Sequence, residues 1–190
     1  MAVVAADGLR PSADRVRETL FNWLQPPLPG ARVLDLFAGT GVLGLEALSR
    51  GAATAVFVER AAPAAQALQA VLQRLYAADI GTVVQADAPA WLAALPADAR
   101  FDVVFLDPPF ATAPWPRLWP LLAAHLADEA RVYVESPREA AATVPAELVL
   151  HRRMQTREAD AALYRWSPAA VLDAATLAAD LASSDGRPVA

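Results

Sequence analysis

The chain has 190 residues, 56% of them apolar, with a mean hydropathy of +0.29, a net charge of −5 and an isoelectric point near 5.0. No stretch reaches the ~18 uninterrupted apolar residues of a membrane span, and the absence of cysteine excludes disulfides, thiolate zinc sites and a cysteine nucleophile. All sixteen basic residues are arginine, so chemistry that requires a lysine is excluded, and the acidic balance opposes electrostatic coating of nucleic acid while leaving room for a local basic patch.

Residues 1–9 read as a loose lead-in without the basic and apolar regions of a secretory signal, so a cytoplasmic protein is expected. Ser12 is placed to cap a helix, with Asp14 favourable in its first turn. Val16, Leu20, Trp23 and Leu24 then form one apolar face, and Pro26-Pro27-Leu28-Pro29-Gly30 stops the helix. Strand-like runs follow at Arg32–Ala38, Thr54–Arg60, Thr82–Asp87, Phe101–Asp107 and Arg131–Ser136, with helical patterns near 42–49, 62–77, 88–95 and 116–127 between them. Alternation of this kind predicts βαβ crossovers and a mostly parallel α/β sheet covered on both faces. Leu148–Gln155 and Ala161–Trp166, joined by a short polar link, predict an antiparallel hairpin at one sheet edge. One domain is thus expected over residues 10–166, followed by a tail at 167–190 that reads as a short helix running into a partly disordered end.

In an open α/β sheet, ligands bind beyond the carboxyl ends of the strands. Asp35 to Gly41, Glu59, Asp87 and Asp107 to Phe110 all fall there, on one rim. The run Asp35-Leu-Phe-Ala-Gly39-Thr-Gly41-Val-Leu-Gly44 contains G-x-G-x-x-G after a strand and before a helix, with Glu59 twenty residues on, which is also the fingerprint of a dinucleotide site. By itself the loop serves any adenosine-containing cofactor, with Glu59 accepting hydrogen bonds from two ribose hydroxyls. Asp35 favours S-adenosylmethionine, whose ammonium and sulfonium suit a nearby carboxylate, over a dianionic pyrophosphate. A nicotinamide-dependent oxidoreductase stays open on the loop alone. It lacks the lysine of a Tyr/Lys relay, however, and the two histidines, His125 in a helix pattern and His151 in an edge strand, read as structural or surface residues.

The buried-strand pattern Phe101–Asp107 ends in Asp107-Pro108-Pro109-Phe110. A strand terminator with a surface turn needs the prolines but not the flanking Asp and Phe. An exocyclic amine of a base is a poor nucleophile because its lone pair is delocalised into the ring. Two acceptors on its two N–H bonds, here the Asp107 carboxylate and the Pro108 carbonyl, pull the nitrogen toward tetrahedral geometry. Pro108 and Pro109 fix φ and add no competing donor, and Phe110 stacks on the base, which a duplex must first release. Transfer from sulfonium to nitrogen then depends on alignment in a dry site, with no metal and no covalent enzyme intermediate. N6-adenine or N4-cytosine methylation of DNA uses the same chemistry.

Arg10-Pro-Ser-Ala-Asp-Arg15-Val-Arg17-Glu18-Thr-Leu-Phe-Asn-Trp-Leu24, the Asp35–Gly41 loop, Leu45-Glu-Ala-Leu-Ser-Arg-Gly51, Asp107–Phe110 and Tyr133-Val-Glu-Ser136 together resemble the RsmD family, the bacterial 16S rRNA guanine-N2 methyltransferases. The resemblance covers about residues 9–166, and the Arg10–Glu18 segment is its most specific part. It implies a class I, Rossmann-like methyltransferase fold with a seven-stranded sheet, S-adenosylmethionine as cofactor, and the 16S rRNA of a small-subunit assembly intermediate as partner. It implies cofactor contacts at Asp35, Phe37, Ala38, Gly39, Thr40, Gly41, Glu59, Arg60, Asp87 and Ala88, and target-base contacts at Asp107, Pro108, Pro109 and Phe110. A monomer is expected. Family members usually carry a basic, Gly-rich segment before the Arg-Pro motif, whereas the nine residues before Arg10 hold no basic residue, and Arg157-Glu-Ala-Asp160 replaces a usual hairpin glycine. Arg10, Arg15 and Arg17, with Arg152, Arg153 and Arg157, are the candidate RNA-phosphate contacts.

Overall fold

In the computed structural model the described residues are 11–109 and 114–168. Arg10, Phe110, the lead-in and most of the tail therefore lie outside them. The elements in chain order are α1 (Pro11–Leu24), β1 (Arg32–Asp35), α2 (Val42–Ser49), β2 (Thr54–Glu59), α3 (Ala62–Arg74), β3 (Gly81–Gln85), α4 (Ala88–Ala93), β4 (Phe101–Leu106), α5 (Trp115–Ala123), β5 (Leu126–Pro137), β6 (Leu148–Gln155) and β7 (Ala159–Trp166). They form one seven-stranded sheet in the order β3-β2-β1-β4-β5-β7-β6. The pairs among β1 to β5 are parallel, and β7 runs antiparallel to both β5 and β6. The expected Rossmann-like α/β sheet with an antiparallel C-terminal hairpin is the fold observed.

Side-chain alternation along the strands separates two cores. Val33, Phe57, Val103, Phe105, Tyr133 and Leu163 point to the face covered by α1, α2 and α3. Leu34, Val58, Val104, Leu106, Val132 and Val134 point to the face covered by α4 and α5. β1 and β4 are central and buried on both sides, which is why Val33-Leu34 and Val103–Leu106 are consecutive apolar residues rather than alternating ones. The α1 helix docks through Leu20, Phe21 and Leu24, all at 0% exposure, each worth about 1.5–3 kcal/mol of burial. Phe21 meets Phe105 at 5.9 Å between ring centres and carries the Arg50 guanidinium on its ring.

Three expectations change. Ser12 already lies within α1, which is described from Pro11 onward, and so does not cap it. The helix expected over 116–127 stops at Ala123. The backbone there is captured by the edge of β4: Phe101 N–H donates to the His125 carbonyl at 2.9 Å, and Leu126 pairs with Phe101. His125 thus sits in the turn before β5, its ring buried, with Nδ1 3.1 Å from the Ala99 carbonyl. The last change is in β5, which starts five residues earlier than the Arg131–Ser136 run suggests, passing through an irregularity at which Glu129 takes a φ of +62°.

The chain leaves β1 toward β2 and β3 and returns to the other side at β4. The crevice beyond the carboxyl ends of β1 and β4 is therefore the topological switch point, where such sheets bind ligands.

Candidate active site

A cleft of about 890 Å³ opens at that switch point. Its floor is built by backbone continuing past the strand ends. Ala38 N–H still donates to the Val58 carbonyl at 3.0 Å, and Gly41 N–H closes a tight turn on the Ala38 carbonyl at 2.6 Å. That turn needs left-handed backbone at Gly39 and Gly41, with φ of +52° and +76°. Gly44 lets α2 approach β2: a methyl group there would lie 2.2 Å from the Phe57 ring.

Glu59 holds the loop in place. One carboxylate oxygen accepts the Gly39 N–H at 2.8 Å and the other the Ala61 N–H at 2.6 Å. Each oxygen keeps a further lone pair for the cleft that Glu59 lines. Asp35 ends β1 at 2% exposure, and its Oδ2 accepts the Gly44 N–H at 3.0 Å. Burial pushes its carboxyl up to about 7; the Gly44 hydrogen bond opposes the rise and the Glu59 charge adds to it. Asp87 caps α4 by accepting the Ala90 N–H at 3.3 Å.

Asp107 follows β4 directly and is exposed to the cleft, with Pro108 buried beside it and Pro109 exposed. The parallel register pairs Leu106 with Val134, which places Asp107 and Glu135 at the same level of neighbouring strands. The buried Tyr133 hydroxyl donates to Glu135 Oε2 at 2.7 Å. Desolvation by the cleft walls, then the Glu135 charge, then that of Asp35, raise the Asp107 carboxyl to about 7. The same surroundings push the Tyr133 phenol well above its usual range. Asp35 and Asp107 thus line the cleft from the ends of β1 and β4, with Glu135 of β5 close enough for its charge to act on Asp107, an arrangement suited to gripping N–H donors and cations.

Every residue expected to contact a cofactor lines this cleft except Gly41, whose missing side chain faces Leu68 of α3 instead. Of the tetrapeptide, Asp107, Pro108 and Pro109 line it, and Phe110 lies outside the described residues. The basic candidates are dispersed. Arg15 and Arg17 are on α1, the latter paired with Asp14 at 2.9 Å. Arg153 is ion-paired through two nitrogens with Asp160, a carboxylate only 5% exposed, while its neighbour Arg152 is exposed on β6. Tyr133, Glu135 and Arg117 have no role legible in the sequence alone. The first two are readable only once β4 and β5 are placed side by side. Arg117 of α5, which lines the cleft, carries no local signal.

A family model described as "Conserved hypothetical protein 95" matches residues 1–165. The Ribosomal RNA small subunit methyltransferase D of Escherichia coli K12 is 44% identical over 168 residues, 87% of this chain and 83% of that protein. Its namesake from Haemophilus influenzae is 36% identical over 168 residues, 87% of each chain. Among solved structures, the yhhF protein of Escherichia coli superposes with a TM-score of 0.77 at 44% identity, covering 85% of this chain and 89% of that one. Magnesium protoporphyrin IX methyltransferase from Synechocystis, solved with bound SAM, is 20% identical and shares the fold, with a TM-score of 0.62 over 82% of this chain and 80% of that one.

Proposed function

The chain belongs to the RsmD family, and from that premise we propose that it transfers a methyl group from S-adenosylmethionine to the exocyclic N2 of a guanine in small-subunit rRNA. The observation that carries the reading is the meeting of Asp35 and Glu59 with Asp107 and Pro108 in one cleft. The residues present fit the cofactor. The cleft's size is that of a cofactor site. Glu59, already fixed by two backbone N–H groups, offers outward lone pairs to a vicinal diol. Asp35 offers a carboxylate to a cation, where a pyrophosphate would be repelled. Asp87 and Ala88 stand where strand β3 ends, beside an apolar wall that includes Val58 and Ala86, as a planar adenine requires.

When bound, S-adenosylmethionine supplies an electrophilic methyl on a sulfonium. The rest is performed by the chain. Asp107 accepts one N–H of the target amine and the Pro108 carbonyl the other, holding the nitrogen lone pair toward the methyl. Asp107, with Glu135 beside it, is also the nearest acceptor for the proton that the nitrogen loses after transfer. Tyr133 fixes Glu135, so the pair of carboxylates keeps its separation. Incubating labelled S-adenosylmethionine with undermodified small-subunit particles tests the reading: label enters rRNA with the wild type and is lost with Asp107→Ala. Label absent from rRNA, or equal with the variant, overturns it.

A further inference from the structure

Away from the cleft, three arginines converge on the strands at the far side of the sheet. Arg131 of β5 stands directly opposite Arg165 of β7, and Arg165 opposite Val149 of β6. The register of β6 shifts between Leu150 and Arg152, leaving His151 as the extra residue. Together Glu129, Arg131, Val149, Leu150, His151 and Arg165 line a cavity of about 310 Å³. Arg152 donates to the His151 carbonyl at 3.3 Å at its border.

Like charges directly opposite one another across antiparallel strands are destabilising. The compensation is incomplete. Glu129 is the one carboxylate lining the cavity among the described residues; it pairs with Arg165 at 2.9 Å. Arg131 bonds the Glu129 carbonyl, not its carboxylate. Two arginines in the lining and a third at its border, against one lining acid, stand out in a chain whose net charge is −5. His151 is lowered by desolvation and by Arg152, Arg131 and Arg165, so it is a neutral hydrogen-bonding group near pH 7. Leu150, 51% exposed, adds an apolar lip.

We propose that Arg131, Arg152, Arg165 and His151 form a docking site for the phosphodiester backbone of the substrate RNA. Arginine presents a fork of donors suited to phosphate oxygens, and an anion there would relieve the cross-strand repulsion. By strand alternation Arg131 shares the sheet face of Tyr133, and it lies four residues before Glu135, about 13 Å along β5. Tyr133 between them is buried, so the RNA passes over the outer surface, a path of the order of a few nucleotides. The proposal rests on RNA being the substrate.

The test is the Arg131→Gln/Arg152→Gln double variant, with affinity for protein-free small-subunit rRNA measured against salt and methyl incorporation read in the same mixtures. Two lost phosphate contacts lower the salt slope by about 1.4, which gives roughly 10-fold weaker binding near 0.15 M salt, converging with the wild type at high salt. Thermal stability is kept or raised, because a like-charge pair is removed, and S-adenosylmethionine affinity is unchanged. Equal affinity and slope in variant and wild type overturn the site. Weaker binding to assembled particles with unchanged binding to protein-free rRNA also overturns it, since the occupant is then a protein. Absence of methyl incorporation by the wild type, with the slope difference intact, overturns the proposed reaction and supports the site.

Discussion

Asp35→Asn tests the electrostatics of the cleft, because one group there opposes folding and, in the proposed function, favours ligand binding. The carboxyl rises from 3.8 to about 7 on folding, chiefly by burial. Folding therefore binds a proton, and stability falls as pH rises between those two values. At 1.36 kcal/mol per unit, the shift costs the folded state about 4 kcal/mol at pH 8, where Asp35 is ionised, against roughly 2 kcal/mol at pH 5, where folding must protonate it. Asparagine keeps an oxygen for the Gly44 N–H and carries no charge. In urea titrations without ligand, Asp35→Asn should be more stable than the wild type, by about 2–3 kcal/mol more at pH 8 than at pH 5. The same variant should bind S-adenosylmethionine more weakly, because the cation loses its carboxylate. A stability difference that does not change with pH, or an unchanged cofactor affinity, would overturn these two roles of Asp35.

Methyl transfer should fall below about pH 7 as Asp107 is protonated, by about tenfold per unit well into the acid limb. Glu135→Gln removes a neighbouring charge while leaving an oxygen for Tyr133, so the acid limb should move to lower pH; a limb that stays in place contradicts the coupling. Gly44→Ala drives a methyl into the Phe57 ring, itself at 0% exposure, and should lower stability by about 1–3 kcal/mol in denaturant titrations. Glu59→Gln turns an amide N–H toward one of two backbone N–H donors and should cost about 1.5–3 kcal/mol of cofactor binding by calorimetry, more than tenfold in affinity.

The parts of this molecule that the sequence revealed are those encoded locally. Val42–Ser49 and Leu148–Gln155 have the bounds expected from periodicity, and Asp35, Glu59 and Asp107 could be placed on one rim because each ends an apolar run. The first half of β5 was illegible. Leu126-Ala-Asp-Glu-Ala carries two adjacent acids and no alternation, and it becomes strand only because Phe101 and His125 pair across the chain. Gly41 lies outside the cleft for a similar reason: its neighbour Leu68 comes from α3, 27 positions away. Glu135 beside Asp107, and Arg131 opposite Arg165, depend on strand order and register, which no short window of sequence contains. Arg153 looked like its neighbour Arg152 until the hairpin set it against buried Asp160.

In the proposed reaction Asp107 and Pro108 hold the N2 amine of a guanine for methylation. Nucleoside mass spectrometry of small-subunit rRNA after reaction measures it directly. N2-methylguanosine is expected, formed by the wild type and lost in Asp107→Asn while the variant still binds S-adenosylmethionine. Methyl groups on adenine or cytosine instead, or undiminished N2-methylguanosine from Asp107→Asn, would contradict it.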